Sequence, residues 1–263
     1  MKPLVTDALW QRIAPLLPPP PPRRFRFPGR KPLDSRKILT GILFVLKAGI
    51  AWDDLPAELG CGCGKTCRHY LRLWHRAGVW QELHAVLLAE LNGADRIDWR
   101  RALIDASIAK APEGGEDTGP NPTDRGTSGI KHHVMTDAEG VPLAATVTAA
   151  NVDEVTQVLP ALTAMPPVGG KPGPKLRKRQ NGCKGTGATT PSRCGRSCAG
   201  WGSSRCWPHG IPSMAAGWGC SAGSCSWLHS FGRLRRRLDR LTEIHEAFLR
   251  LACALICLWF LGP

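Results

Sequence analysis

Between Val155 and Leu238 the sequence contains neither aspartate nor glutamate. At the acid frequency of the whole chain, a stretch this long would hold roughly seven. The gap excludes a carboxylate-built metal site from about a third of the chain, because hard divalent cations need oxygen ligands. The opening Met1-Lys2-Pro3-Leu4 lacks the apolar core of a secretory signal, so an oxidising compartment and a disulfide framework are not expected. The one long apolar run, Ala247 to Leu261, carries Arg250 and reads as too short to span a bilayer. The expectation is a soluble, cytoplasmic chain without a membrane partner.

What is present is positive charge. The 35 lysines and arginines outnumber 21 acids, giving +14 and a pI near 9.7, which points to a polyanionic partner with nucleic acid first. Hydrophobic residues at 43% exclude a wholly disordered chain. Within the acid-free stretch, Asn181 to Ser226 is rich in Gly, Cys, Ser, Trp and Arg and shows no apolar period of 2 or 3.6, so no strand or helix is expected there. Six of the eleven cysteines fall in it: Cys183, Cys194, Cys198, Cys206, Cys220 and Cys225. Cys194-x3-Cys198 and Cys206-x2-His209 match zinc spacings only loosely. The composition is what GC-rich DNA yields when translated out of frame.

The first ninety residues carry helical periodicity. Thr6-Asp7 caps a helix with Leu9, Ile13, Leu16 and Leu17 on one face, stopped by Pro18 to Pro22. After a basic linker, Arg23 to Lys31, Asp34-Ser35 caps a second helix with Ile38, Leu39, Ile42, Leu43 and Leu46 inward and Gly49 at its end. A third starts near Thr66, with Arg68, Arg72 and Arg76 at i, i+4 and i+8; a fourth covers Trp80 to Leu91. A basic stripe on the third of several short helices suits a helix-turn-helix-like DNA binder. A solvated arginine face on an ordinary bundle fits the pattern equally well. Cys61-x-Cys63-x3-Cys67 beside His69 reads as a Gly/Cys loop before a helix rather than a zinc site.

An α/β pattern follows. Arg101 to Ser107 is a short apolar strand ending in an acid, Asp105. A polar loop, Pro112 to Gly129, leads to strands at His132–Asp137 and Leu143–Thr148 with a turn at Ala138-Glu139-Gly140. His132 and His133, being adjacent on a strand, point to opposite faces. A helix through Leu159 and Leu162, a basic linker from Lys171 to Arg179, an arginine-rich helix start over Trp227 to Arg240 and a final helix from Ile244 to Leu261 complete the chain.

Three co-linear blocks resemble the DDE-type insertion-sequence transposases of bacteria, in the IS-four/IS-five superfamily. They are "LVTDALWQRIAPLLP" with "GRKPLDSRKILTGILFVLKAGIAWDDLP" and "RLWHRAGVWQELH", then "DWRRALIDASIAK…KHHVMTDAEGVPLAATVTAANVDEVTQVLPAL", then "SWLHSFGRLRRRLDRLTEIHEAFLRLACALICLWFL". The resemblance implies an all-α, helix-turn-helix-like DNA-binding region at 1–95 before an α/β, ribonuclease H-like catalytic domain. That domain begins at 96–175 and ends with the C-terminal helices at 227–263, interrupted by the anomalous segment 176–226, expected to be out of frame and disordered. It implies double-stranded DNA, the transposon ends, as partner, a homodimer as assembly, and Mg2+ or Mn2+ as cofactor. Three acids would hold two metal ions for phosphoryl transfer.

Asp105 matches the first of those acids and is the expected catalytic and metal-binding residue. Asp137 matches a turn position. The family sets its second acid in a motif like "ADRGYDS" and its third in one like "RWVVERT"; neither string is present. Thr186 stands near the second position, and Ser221 or Ala222 near the third. Codons chosen for Asn181 to Arg193 and read two bases later give "VQGDRGYDSEP". The reading is therefore a frame-disrupted transposase, inactive in cleavage and strand transfer; a non-catalytic DNA-binding remnant is the alternative. The fourth strand should be lost, and the last helix should lack much of its docking surface. Candidate DNA contacts are Arg68, Arg72 and Arg76 on the third helix, Arg125 and Lys131 near the catalytic loop, and Arg233, Arg235 and Arg236 in the C-terminal cluster.

Overall fold

A computed structural model describes residues 3–19, 25–26, 31–168, 213–215 and 227–262. Most of the first basic linker, the whole of the second, Thr186, Ser221, Ala222, the six clustered cysteines and nearly all of the expected anomalous segment lie outside the described residues.

The helical half forms where its caps and stripes demand. In α1 (Asp7–Ile13), the Thr6 hydroxyl accepts from the Leu9 amide, and Leu9 and Ile13 are buried. In α2 (Ser35–Ala48), the Asp34 carboxylate accepts from the Arg36 amide, and the helix stops at Gly49 in the left-handed region, φ +76°. Gly49 also meets Gly232, whose carbonyl carbon would lie 2.7 Å from any Cβ placed there. α3 (Gly64–Arg76) turns Cys67, Leu71 and Trp74 into the core, and α4 (Val79–Gly93) buries Trp80, Leu83, Leu87, Leu88 and Leu91. Cys61 and Cys67 are buried thiols, with Cys67 Sγ donating to the Cys61 carbonyl, while Cys63 is exposed. They are packing residues of the helical core.

The sheet is built around β1 (Arg101–Lys110), which pairs antiparallel with β3 (Ser128–Asp137); β3 in turn pairs antiparallel with β4 (Pro142–Ala149). A two-residue β2 (Gly119–Pro120) adds to β3. The turn between β3 and β4 is held by Asp137, whose carboxylate accepts from the amides of Asp98, Glu139 and Val141. Burial raises its pKa, against the pull of those amides. α5 (Val158–Ala164) packs on β4 and β3.

Three expectations for the C-terminal part need correction. A fourth strand is present: β5 (Ser213–Ala215) pairs parallel with Arg101–Leu103 of β1, inside a stretch whose composition promised no regular element. Backbone hydrogen bonding to an existing edge needs no side-chain period, which is why pattern missed it. The last helix also has its docking surface. α7 (Thr242–Leu261) buries thirteen residues against α4, α3 and β4. It starts before the apolar run and is long and apolar enough to cross a membrane by length and composition, yet most of it is buried within the fold. Apolar side chains nearly all round are what a core helix requires. Residues 227–240 are not one helix either. A short α6 (Gly232–Arg235) ends where Arg236 turns extended and pairs with Lys110, and the Arg237 amide donates to the Lys110 carbonyl.

Candidate nucleic-acid interface and catalytic strand

The arginine stripe of α3 faces the C-terminal segment. Arg68 Nε lies 3.2 Å from Asp239 Oδ1, and Arg72 and Arg76 both donate to the carboxylate of Glu243 on the first turn of α7. Neither the free basic stripe nor the solvated arginine face foreseen from spacing is what forms, because spacing shows which residues share a face but not what docks on it. Asp239 is almost fully buried and accepts three donors: Arg68, Trp52 Nε1 at 3.2 Å and Arg233 at 2.6 Å. Three donors on one buried carboxylate offset its desolvation.

The C-terminal cluster divides into structural and exposed arginines. Arg233 is buried; it donates to Asp239 and the Ile50 carbonyl and lies over the rings of Trp52 and Phe248, so no DNA phosphate reaches it. Arg237, which is also buried, donates to the carbonyls of Glu116, Asp239 and Arg240. Arg235 and Arg236 are exposed, although Arg235 Nε donates to the His229 carbonyl. Lys131 is buried, with Nζ donating to the Val152 carbonyl at 2.9 Å and 3.5 Å from Glu154, and so is withdrawn from any DNA surface. Arg125 is exposed on the loop before β3 at φ +51°. Of the eight candidate contacts, Lys131 and Arg233 are buried, Arg68 and Arg72 are half-buried in ion pairs, and Arg76, Arg125, Arg235 and Arg236 are exposed, Arg76 while paired with Glu243.

Asp105 lies in mid-β1, half-buried, and accepts from the Ala106 amide at 2.8 Å. It stands opposite Val134, so it shares a face with Val134 and His132. That face is covered by α7, where His132 Nε2 and His245 Nε2 are 2.7 Å apart and the two rings stack. His133 points the other way, to Thr148. Burial pushes the pKa of both His132 and His245 down, so the pair is neutral, one ring donating to the other. Neither histidine of this pair was foreseen as a contact between sheet and helix; only the opposite orientation of His132 and His133 was legible.

All 21 carboxylates of the chain fall within the described residues, and no three His, Cys, Asp or Glu side chains among these gather into a group that could hold a metal ion. Two Mg2+ ions require several carboxylates converging on one place. The residues present do not fit that pair of ions.

Helices pack on a sheet with strands in the spatial order β4-β3-β1-β5, and Asp105 lies in mid-β1. Residues 5–84 match the family described as "Putative transposase of IS4/5 family", and residues 100–177 match the "Transposase DDE domain", which carries a ribonuclease H-like α/β fold with it. An uncharacterized 16.2 kDa protein of insertion element IS402 from Burkholderia cepacia is 55% identical over 121 residues, 46% of this chain and 82% of that protein. A protein of the same organism, named "Putative transposase for insertion sequence element IS402", is 40% identical over 176 residues, 64% of this chain and 81% of that protein. No solved structure matches. The chain belongs to the IS4/5 family of insertion-sequence transposases. Transposases with the DDE domain typically use a divalent metal.

Proposed function

We propose that this chain is a transposase by descent that binds double-stranded DNA at transposon ends and neither cuts nor joins it. The carboxylate inventory carries the reading. Every acid in the chain has a described place, and no three His, Cys, Asp or Glu side chains among the described residues gather into a metal-binding group. Fewer than three such ligands do not displace enough of the ions' water to hold two divalent ions. Asp105 is the first acid of the family set; the strings that would supply the others are absent, and the shifted frame over Asn181 to Arg193 restores one of them.

DNA binding rests on the net charge of +14 and on the exposed Arg125, Arg235 and Arg236. Residues 1–95 would act as a helix-turn-helix-like binding region, with a homodimer as the assembly and the cytoplasm as the place of action. Incubating the purified chain with labelled transposon ends in Mg2+ or Mn2+ tests this: bound, uncut DNA is expected, and nicked or joined product overturns it. Binding should weaken steeply as salt rises. An absence of binding even at low salt would sink both the remnant reading and any role at transposon ends.

A further inference from the structure

Two arginines one turn apart on α3, Arg72 and Arg76, converge on the two oxygens of one carboxylate. Arg72 Nε and Arg76 Nη2 reach Oε1 of Glu243, and Arg76 Nε reaches Oε2 at 2.9 Å. Forked guanidinium groups closing on a pair of oxygens are how proteins hold a phosphate. The site is also accessible: the Arg76 side chain is 59% exposed and that of Arg72 is 37%, whereas Asp239, at the other end of the stripe, is 5% exposed. The stripe therefore has a locked end at Arg68 and an open end at Arg72 and Arg76.

We infer that Arg72 and Arg76 form a binding site for a phosphodiester of the DNA backbone, and that Glu243 occupies it as an internal substitute until DNA displaces the carboxylate. The inference rests on the DNA-binding reading above and adds a regulated contact to it. The Glu243 carboxylate is held ionised. Partial burial pushes its pKa up, and hydrogen bonds from Arg76 and Arg72 more than reverse this, giving a net lowering. Exposed ion pairs of this kind are weak, so a polyanion offering many phosphates can outcompete one carboxylate. Asp239 cannot be displaced in the same way, because Trp52 and Arg233 hold it from the buried side.

The test measures binding of the full chain to a labelled duplex by fluorescence anisotropy across a salt series, for the wild type, E243Q, R72Q/R76Q and the triple variant. E243Q keeps an acceptor oxygen and removes the charge, and a thermal melt checks that it folds. E243Q should bind several-fold tighter, with a log-affinity against log-salt slope steeper by about 1 to 2, since each added phosphate contact contributes about 0.9. R72Q/R76Q should lower wild-type affinity by less than it lowers that of E243Q, and the triple variant should lose the whole gain. Equal binding and equal slopes for wild type and E243Q overturn the site while leaving the remnant reading intact. Loss of equal affinity on R72Q/R76Q in both backgrounds also overturns it, because the arginines would then contact DNA despite Glu243. If no variant binds at low salt, the reading of DNA binding itself fails. Should E243Q melt early, R72Q/R76Q against wild type still decides: a loss there as large as removing two phosphate contacts, with a slope shallower by about 2, overturns the substitution by Glu243.

Discussion

The junction between α3 and the C-terminal segment and the catalytic strand β1 treat their acids in opposite ways. At the junction, each acid has its complement: Asp239 takes Arg68, Arg233 and Trp52, and Glu243 takes Arg72 and Arg76. On β1, Asp105 has the strand position its family chemistry calls for, while no set of three metal-ligating side chains forms around it among the described residues. Structure at the junction needs pairs, and pairs are complete. Phosphoryl transfer needs a cluster of ligands, and no group of three forms among the described residues. The contacts that assemble a fold and those that drive a reaction fall on different residues, so one set can be complete without the other.

The largest effect should come from the buried end of the junction. Asp239→Ala strands the buried Arg233 guanidinium and removes the acceptor shared by Trp52 and Arg68. Removing one partner of a buried pair costs about 3–5 kcal/mol. Urea denaturation should show that loss as a lower midpoint with an unchanged slope. A loss below about 1 kcal/mol would mean that the junction is not where the helical and C-terminal parts are held together, and the contrast with β1 would dissolve.

Neutral histidines join the sheet to the helices where the junction uses ion pairs. His84 Nε2 meets the Pro142 carbonyl at 2.8 Å, and burial lowers its pKa to about 4. The folded value lies below the unfolded value of about 6.5, so the neutral form stabilises the fold above pH 6.5. That contribution is lost as pH falls from 6.5 towards 4. Each such histidine should remove about 1.4 kcal/mol per pH unit in that window, or ~2 kcal/mol by pH 5. His132 and His245 add in the same direction. Melting temperature against pH checks this, and His84→Gln should flatten the fall. A curve level down to pH 4.5 would show those rings charged or solvated in the fold.

A smaller steric effect is expected where α3 begins. A Cβ on Gly64 would lie 1.8 Å from the Trp52 carbonyl oxygen, the same tryptophan whose indole holds Asp239. Gly64→Ala must push that backbone away, at about 1–3 kcal/mol, the usual range for overpacking. If calorimetry shows no loss, Trp52 is free to shift and Asp239 is not fixed by it.

How much of this was legible in the sequence follows from the range of each signal. Caps at Thr6 and Asp34, the stop at Gly49, and the strands around the Ala138-Glu139-Gly140 turn depend on neighbours within a few residues, and they stand where spacing set them. The strand carrying Asp105 was legible from its short apolar run. The partners of Arg68, Arg72 and Arg76 were not, since Asp239 and Glu243 lie more than 160 positions away, and a helical stripe carries no record of what docks on it. The same holds for Lys131 and Arg233: their charge suggested solvent and DNA, while the fold buries both against carbonyls and, for Arg233, a carboxylate. Basic composition predicts a partner for the whole surface and says little about any single side chain.

The smallest expected effect bears most directly on the comparison. Asp105→Asn keeps an oxygen to accept from the Ala106 amide and removes the charge that a divalent ion would need there. A seated divalent ion would raise the melting temperature with concentration, since any ligand of the folded state stabilises by mass action. The wild type should therefore show no Mg2+- or Mn2+-dependent rise in melting temperature that Asp105→Asn abolishes. A rise in the wild type that disappears in the variant would place an ion at Asp105 and overturn the reading of this chain as one that neither cuts nor joins DNA.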